Sequence, residues 1–404
     1  MLLTKDILVV APTPSHPQDS GNRKRIYSLF KYLQSQSFKI HYVLYNVYNQ
    51  DFYCNQSSYD EMTQEWDYFD FVLPSHDSHK VLANLRNRFL RSSSYKKLTN
   101  QGIKLPIQYS IDDWCSDNLT NFIRWKCNNF SFAAVFVEYV FLSNVIKYVP
   151  KNTLKIIDTH DVFANRHISL IENKMTASFF TTSIKEEVKG LNRSDLVLAI
   201  QEEEKEYFER HINPDVIEVS HLEEEKFITR EYQYVQSVGV IASRNAINIS
   251  SVKKFVEIVN KKETLKDLKI YIAGSVCQAI RQDYTNVVYL NHVDSLEKFY
   301  SIADIFVNPM LSGTGIKIKT LEAFAYGVPF LSTTSGSLGT GSIFDFHNFL
   351  TLEELVNFLE TIYTEKISLT SLQEASKKCF YNYQSKLEIQ LEALVNRLET
   401  WNAL

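Results

Sequence analysis

Glycine and proline are scarce in this sequence, at 11 and 9 of 404 residues, which leaves little room for long flexible linkers or low-complexity tracts. Cysteine is equally thin. The five residues Cys54, Cys115, Cys127, Cys277 and Cys379 are scattered, odd in number and free of any CxxC spacing. A disulfide framework and a zinc ribbon are thereby excluded, and a reducing, cytoplasmic setting is expected. Positive charge is not in excess either: the formal net charge of -4 argues against nucleic acid as a partner. No apolar run is long enough to span a bilayer, since the most apolar stretch, Phe132 to Leu142, is short and carries Glu138. The opening run Ile7–Ala11 follows Lys5 and Asp6 and reads as a first strand rather than a signal peptide.

What is present is an ordinary globular composition, 45% apolar and 22% charged, on a chain too long for one core. Short apolar runs rich in β-branched residues alternate with helical patterns, which predicts parallel sheets. The first series is Ile7–Ala11, Phe38–Tyr45, Phe69–Leu73, Ala133–Tyr139, Lys155–Thr159, Asp195–Ile200 and Val216–Val219. A charged stretch, Leu222–Tyr234, interrupts it. The second series is Val238–Ala242, Leu268–Ala273, Val287–Leu290, Asp304–Asn308 and Pro329–Ser332. The expected class is α/β: two Rossmann-like doubly wound domains facing across a cleft, 1–224 and 225–375. Helical residues 376–404 are expected to return to the first domain.

In such sheets ligands bind beyond the carboxyl ends of the strands, so those loops carry the candidate chemistry. The fullest signal runs from Ser312 to Pro329, after the strand Asp304–Asn308 and into a helix. Gly313 and Gly315 allow close backbone approach to a ligand, and a helix N-terminus adds partial positive charge. Lys317 and Lys319 add full charges where phosphates would sit. Glu322, one turn on, can accept hydrogen bonds from two ribose hydroxyls. Gly327 stops the helix and Pro329 opens the next strand. The plainer alternative is a Gly-rich turn before an amphipathic helix with two solvated lysines.

This segment resembles the donor-binding motif of the retaining glycosyltransferase family 4, a glycine-rich loop before Lys-x-x-Glu-Ala and Gly-x-Pro. The resemblance implies the GT-B fold, a nucleotide-sugar donor and no metal, with Glu322 on the donor ribose. Many members carry a second Glu where this chain has Thr314, a departure that bears on the sugar contact. The resemblance extends along nearly the whole chain. Val238–Asn245 resembles the first strand and loop of the donor-side domain, which implies a diphosphate contact for Arg244. Asn291–Leu296 is similar to the loop that cups the base, with Val293 at its centre. Ser20-Gly21 resembles the small-residue turn facing the diphosphate and acceptor, which places Gly21 at the site.

Two further candidates are catalytic. His160 ends the strand Lys155–Thr159 and matches a family histidine that touches the donor sugar; a structural histidine is the alternative. Glu138 ends the strand Ala133–Val137, where a carboxylate can meet an acceptor hydroxyl or simply be structural. The run Asp158-Thr159-His160-Asp161 also invites a metal reading. Adjacent residues of a strand alternate in direction, however, so the four cannot all converge on one ion. Arg23 to Arg25 fall in the first turn of the first helix, where cations oppose the helix dipole unless an anion lies close.

The stretch 80–104 is basic, with seven Lys or Arg and apolar residues at helical spacing. It reads as a solvated face or as a peripheral contact with anionic membrane. The resulting expectation is sugar transfer from a nucleotide-sugar donor to a glycan or glycoconjugate acceptor, with retention and without metal or other cofactor. A nucleotide-sugar epimerase of the same fold and a catalytically idle donor-binding partner subunit are the alternatives. An NAD-dependent enzyme lacks its glycine fingerprint.

Overall fold

A computed structural model of the chain describes residues 5–46, 55–75, 92–94, 97, 110–166, 168, 181–281, 283–313 and 315–401. Thr314 and nearly all of the basic stretch 80–104 lie outside the described residues.

The chain divides into two compact units, Met1–Leu222 with Ile389–Leu404, and Glu223–Glu388. The first holds seven parallel strands: β1 (Asp6–Ala11), β2 (Lys39–Tyr45), β3 (Tyr68–Val72), β4 (Ala134–Glu138), β5 (Leu154–Asp158), β6 (Leu196–Ala199) and β7 (Asp215–Glu218). Their order is β3-β2-β1-β4-β5-β6-β7. Its helices are α1 (Gly21–Ser35), α2 (Gln56–Glu65), α3 (Asp117–Asn129), α4 (Ile184–Leu191) and α5 (Glu202–Glu209). Strands covered on both faces must be apolar throughout. Residues Ile7 to Ala11 and Ala134 to Val137 are accordingly fully buried. On α1 the buried residues Ile26, Leu29, Phe30 and Leu33 recur at helical spacing and fix which face meets the sheet. Arg25 lies on that same buried face.

The second unit holds β8 (Ser237–Ile241), β9 (Lys269–Ala273), β10 (Val287–Asn291), β11 (Ile305–Asn308) and β12 (Phe330–Ser332), all parallel, in the order β10-β9-β8-β11-β12. Its helices are α6 (Ala246–Asn260), α7 (Leu296–Ile302), α8 (Ile318–Ala325) and α9 (Leu352–Thr364). Helix α10 (Thr370–Trp401) begins in this unit, and its residues from Ile389 belong to the first. Both sheets are doubly wound. Among the described residues no helix is long and apolar enough to cross a membrane.

The strand order reverses between β1 and β4 in the first sheet and between β8 and β11 in the second. Loops after these strands diverge and leave room for ligand. The candidate residues sit at these two places.

Candidate functional site

In the first unit, β4 and β5 pair in a register that sets Glu138 beside Asp158 at their carboxyl ends. Neighbours at matching positions of a parallel pair point to one face, so two carboxylates meet in the interior. Both are fully buried. Such a pair needs compensating charge or protons. Arg25, itself 1% exposed, supplies the first: Nε donates to Asp158 Oδ2 and Nη2 to Oδ1, both at 2.8 Å. Its Nη1 donates to the carbonyls of Val219, at 2.8 Å, and Ser220, at 3.1 Å. The anion that the basic first turn of α1 calls for is therefore a side chain of the same unit.

His160 compensates Glu138. Its Nε2 lies 2.5 Å from Glu138 Oε2 and 3.8 Å from Asp158 Oδ2. The imidazole stacks on the Tyr139 ring, centroids 4.2 Å apart and planes 10° apart. Tyr139 and His160 each follow a strand end with positive φ, 68° and 60°. Left-handed backbone is unfavourable for such side chains and clusters at functional sites. Here it turns both rings over the two carboxylates. Tyr139 Oη accepts from Asn22 Nδ2 at 3.0 Å, tying the strand end after β4 to the first turn of α1. Gly21 is the first residue of that turn. Burial, reinforced by the charge of Asp158, pushes the Glu138 carboxyl up, while the bonded imidazole pulls it down.

Glu138, Asp158 and His160 offer ligand atoms within 4.8 Å of one another, the spacing a metal ion would use. Residues 158 and 160 do share a side, as alternation allows for positions two apart. Arg25 already engages both oxygens of Asp158, so an ion there would face a guanidinium. The arrangement built is a hydrogen-bonded charge network.

Two more acids of the first unit are buried. Glu187 accepts from the Phe163 backbone N–H at 2.7 Å and is pushed up to about 7, chiefly by burial. Burial, with the charge of Asp161, takes Glu204 to about 8, and its Oε2 is buried without a hydrogen-bond partner among the described residues.

In the second unit, β11 is followed by the glycine loop and α8. Gly313 and Gly315 have φ of 137° and 71°, conformations that favour glycine. Lys317, just before α8, is 6% exposed, and its Nζ donates to the Gly315 carbonyl at 2.7 Å. Lys319 is more open. Its Nζ donates to both carboxylate oxygens of Glu322, at 3.0 and 2.8 Å, with the lysine side chain 40% exposed and the glutamate's 4%. Thr320 Oγ1 donates to the Gly336 carbonyl at 2.5 Å and accepts from Asn308 Nδ2 at 2.9 Å. These bonds lock the start of α8 to β11 and to the one-turn helix Thr334–Ser337 after β12.

Arg244 lies in the loop after β8 and is exposed. Its backbone N–H donates to Ser275 Oγ at 2.8 Å and its Nη1 to Gln278 Oε1 at 3.0 Å, so the loops after β8 and β9 are tied. Gly274 ends β9 with φ 92°, and a Cβ there would stand 2.2 Å from the Ala242 carbonyl oxygen. Only glycine permits that approach. Val293 is half-buried between exposed His292 and Asp294, after β10.

The structure thus gathers Gly313, Gly315, Lys317, Lys319 and Glu322 at one helix start, with Arg244 and Val293 on loops at the same edge of the sheet. It gathers Glu138, His160 and Gly21 separately in the first unit. Asp158 enters the sequence reading only in the run weighed as a metal cluster, and Tyr139 and Asn22 are not among its candidate site residues. The basic first turn of α1 was the sign that an anion was near, while nothing local marks Tyr139.

Residues 234–350 match the family described as Glycosyl transferases group 1. A curated relative, an uncharacterized 44.6 kDa protein in the cps region of Klebsiella pneumoniae, is 30% identical over 135 residues. That alignment takes in 30% of this chain and 34% of the relative, about a third of its length. Among solved structures the chain is similar to TarM, with TM-score 0.67 at 12% identity over 98% of this chain and 99% of that one. It is also similar to HepE of Anabaena in complex with UDP and glucose, with TM-score 0.61 at 10% identity, covering 98% of this chain and 99% of that one. An E. coli trehalose-6-phosphate structure bound with UDP-2-fluoro glucose gives TM-score 0.61 at 10% identity, covering 97% and 98%. Two parallel doubly wound sheets and these likenesses together establish that the chain has the GT-B fold, with a glycosyl transferases group 1 region in its second unit.

Proposed function

We propose that this chain is a glycosyltransferase that moves a sugar from a nucleotide-sugar donor to a saccharide or other glycoconjugate acceptor. The observation that carries the reading is the start of α8, where a glycine loop, two lysines and Glu322 are held together. In this reading Glu322 accepts from the two ribose hydroxyls, and Lys319 turns from that carboxylate to the diphosphate. Lys317 and the N–H groups of Gly313 and Gly315 complete an anion cradle, with Arg244 beside it and the base near Val293. Breaking the bond between the anomeric carbon and phosphate leaves two negative charges on the departing diphosphate. Preorganised lysines and amides stabilise that charge without a metal ion. Front-face displacement, in which the leaving phosphate takes the acceptor's proton, is the accompanying proposal for stereochemistry and gives retention.

HepE holds UDP and glucose, and a TarM mutant of S. aureus holds UDP and alpha-GlcNAc-glycerol. UDP-sugars are accordingly the first donors to test, followed by GDP-, dTDP- and CMP-sugars in a thermal-shift panel. Glu322→Ala and Lys319→Ala should each abolish most turnover while the protein stays folded. Wild-type turnover in both variants ends the donor placement. Donor incubated alone should give slow hydrolysis; an epimerised nucleotide sugar would point to an epimerase instead. A cytoplasmic setting and a contact of residues 80–104 with anionic lipid belong to the same proposal. Co-sedimentation with anionic vesicles, absent with neutral ones, is its check.

A further inference from the structure

Glu138 and His160 do more than end two strands. Three observations bear on how the imidazole is used. Its Nε2 is 2.5 Å from Glu138 Oε2, too close for anything but a shared proton. The competing carboxylate, Asp158, has both oxygens engaged by Arg25 and lies 3.8 Å from the same nitrogen. The ring plane is held by the stacked Tyr139, whose own hydroxyl is anchored by Asn22. One ring nitrogen is therefore committed and the ring cannot swing.

We propose that Glu138 is the positioning residue of His160: it fixes the proton on Nε2 and so makes Nδ1 the ring atom that meets substrate. This rests on the transferase reading for what that substrate is, a hydroxyl of the donor sugar or of the acceptor. A neutral ring protonated on Nε2 offers Nδ1 as a hydrogen-bond acceptor. When the ring takes a proton, Nδ1 becomes a donor, and the carboxylate behind it balances the charge. A carboxylate that holds an imidazole in one tautomer is a recurrent device where the far nitrogen has a task. Glu138 is fully buried and its Oε1 has no hydrogen-bond partner among the described residues. Stability alone would favour an apolar side chain there, so the carboxylate is retained at a cost. The groups that bear on the titration of the pair are Asp158 on β5, Arg25 on α1 and Tyr139 after β4. Glu204 joins the same network through Asp158 and Arg25, and Asp161 bears on Glu204.

The test has two arms. The first needs no activity. In nitrogen-15 spectra of histidine-labelled protein near pH 7.5, the ring assigned by its loss in His160→Ala should carry its proton on Nε2. In Glu138→Leu it should become a mixture of tautomers. A neutral ring protonated on Nδ1 in the wild type, or an unchanged tautomer in Glu138→Leu, overturns the proposal. The second arm is kinetic. Glu138→Leu should lower kcat by ~100-fold with donor KM little changed, the scale of a lost proton-handling group. Glu138→Gln, whose amide oxygen still accepts from Nε2, should recover about a tenth of wild-type kcat. The double variant Glu138→Leu/His160→Ala should match His160→Ala alone. Losses that multiply, or a Glu138→Gln variant no more active than Glu138→Leu, refute the coupling. A wild type that transfers no sugar from any donor refutes the transferase reading, and the spectroscopic arm still decides the role of Glu138.

Discussion

The two units treat charge in opposite ways at corresponding places in their sheets. In the first, Arg25, Asp158, His160 and Glu138 satisfy one another behind the switch between β1 and β4. The network is buried and its charges are paired within the unit. In the second, the start of α8 sets Lys317 and Lys319 against one carbonyl and one carboxylate, with Lys319 substantially exposed. That arrangement pairs both lysines on folding yet leaves Lys319 open to solvent. Buried pairs are costly to break because the surviving charge cannot reach water. Half-exposed pairs contribute little to stability and are easily exchanged. The first cluster should therefore report on folding and the second on binding.

The sharpest way to break that contrast is Arg25→Met. It strands Asp158 in the interior and should cost ~3–5 kcal/mol of stability, read as a large fall in Tm or as insoluble protein. Adding Asp158→Leu should restore most of the loss. A single variant as stable as wild type would mean the network is not closed as described.

Glu322→Ala should behave in the reverse sense. Losing two ribose bonds to a carboxylate should weaken donor binding by ~10–100-fold in calorimetry, while Tm without ligand hardly moves. A fall in Tm as large as that of Arg25→Met would erase the distinction between the units.

A smaller effect sharpens the picture of the first unit. Glu204 titrates near 8 in the folded state, well above the ordinary carboxylate range, because burial opposes its charge. Between that range and pH 8 the folded state holds a proton that the unfolded state has released. Stability is thus fully present below the unfolded pKa and falls as pH rises, by up to ~1.4 kcal/mol per unit. Glu204→Gln should flatten that part of the denaturation profile, and an unchanged slope between pH 5 and 8 would exonerate Glu204.

The smallest effect concerns salt. Donor affinity should fall a few-fold between low and physiological ionic strength, since Lys319 and Arg244 are partly open to solvent. The tautomer of His160 should not respond at all.

Much of this was legible in the chain. Each predicted strand lies within about two residues of the observed one, because a strand covered on both faces must be continuously apolar. The local arrangement at the start of α8 was equally readable: its glycines, lysines and glutamate all fall between residues 313 and 322, and helical spacing alone brings Lys319 to Glu322. Thr314 and the basic stretch 80–104 stay as sequence expectations. The first-unit network was only half visible. Its members could be picked out singly as strand-end and first-turn residues, but their pairing could not. Asp158 and Arg25 are 133 residues apart, and Asn22 and Tyr139 are 117 apart. Helix α2 also escaped the apolar pattern, since it buries little besides Ser58 and Met62.

By itself the sequence determined two doubly wound sheets and one helix start that carries a glycine loop, two lysines and Glu322, because both follow from periodicities of two and 3.6 residues that need no distant partner. Only tertiary structure decided which carboxylate holds Arg25 and which holds His160. That choice depends on the register of β4 against β5, which sets Glu138 level with Asp158 and so places two buried charges where each must find its own counterion.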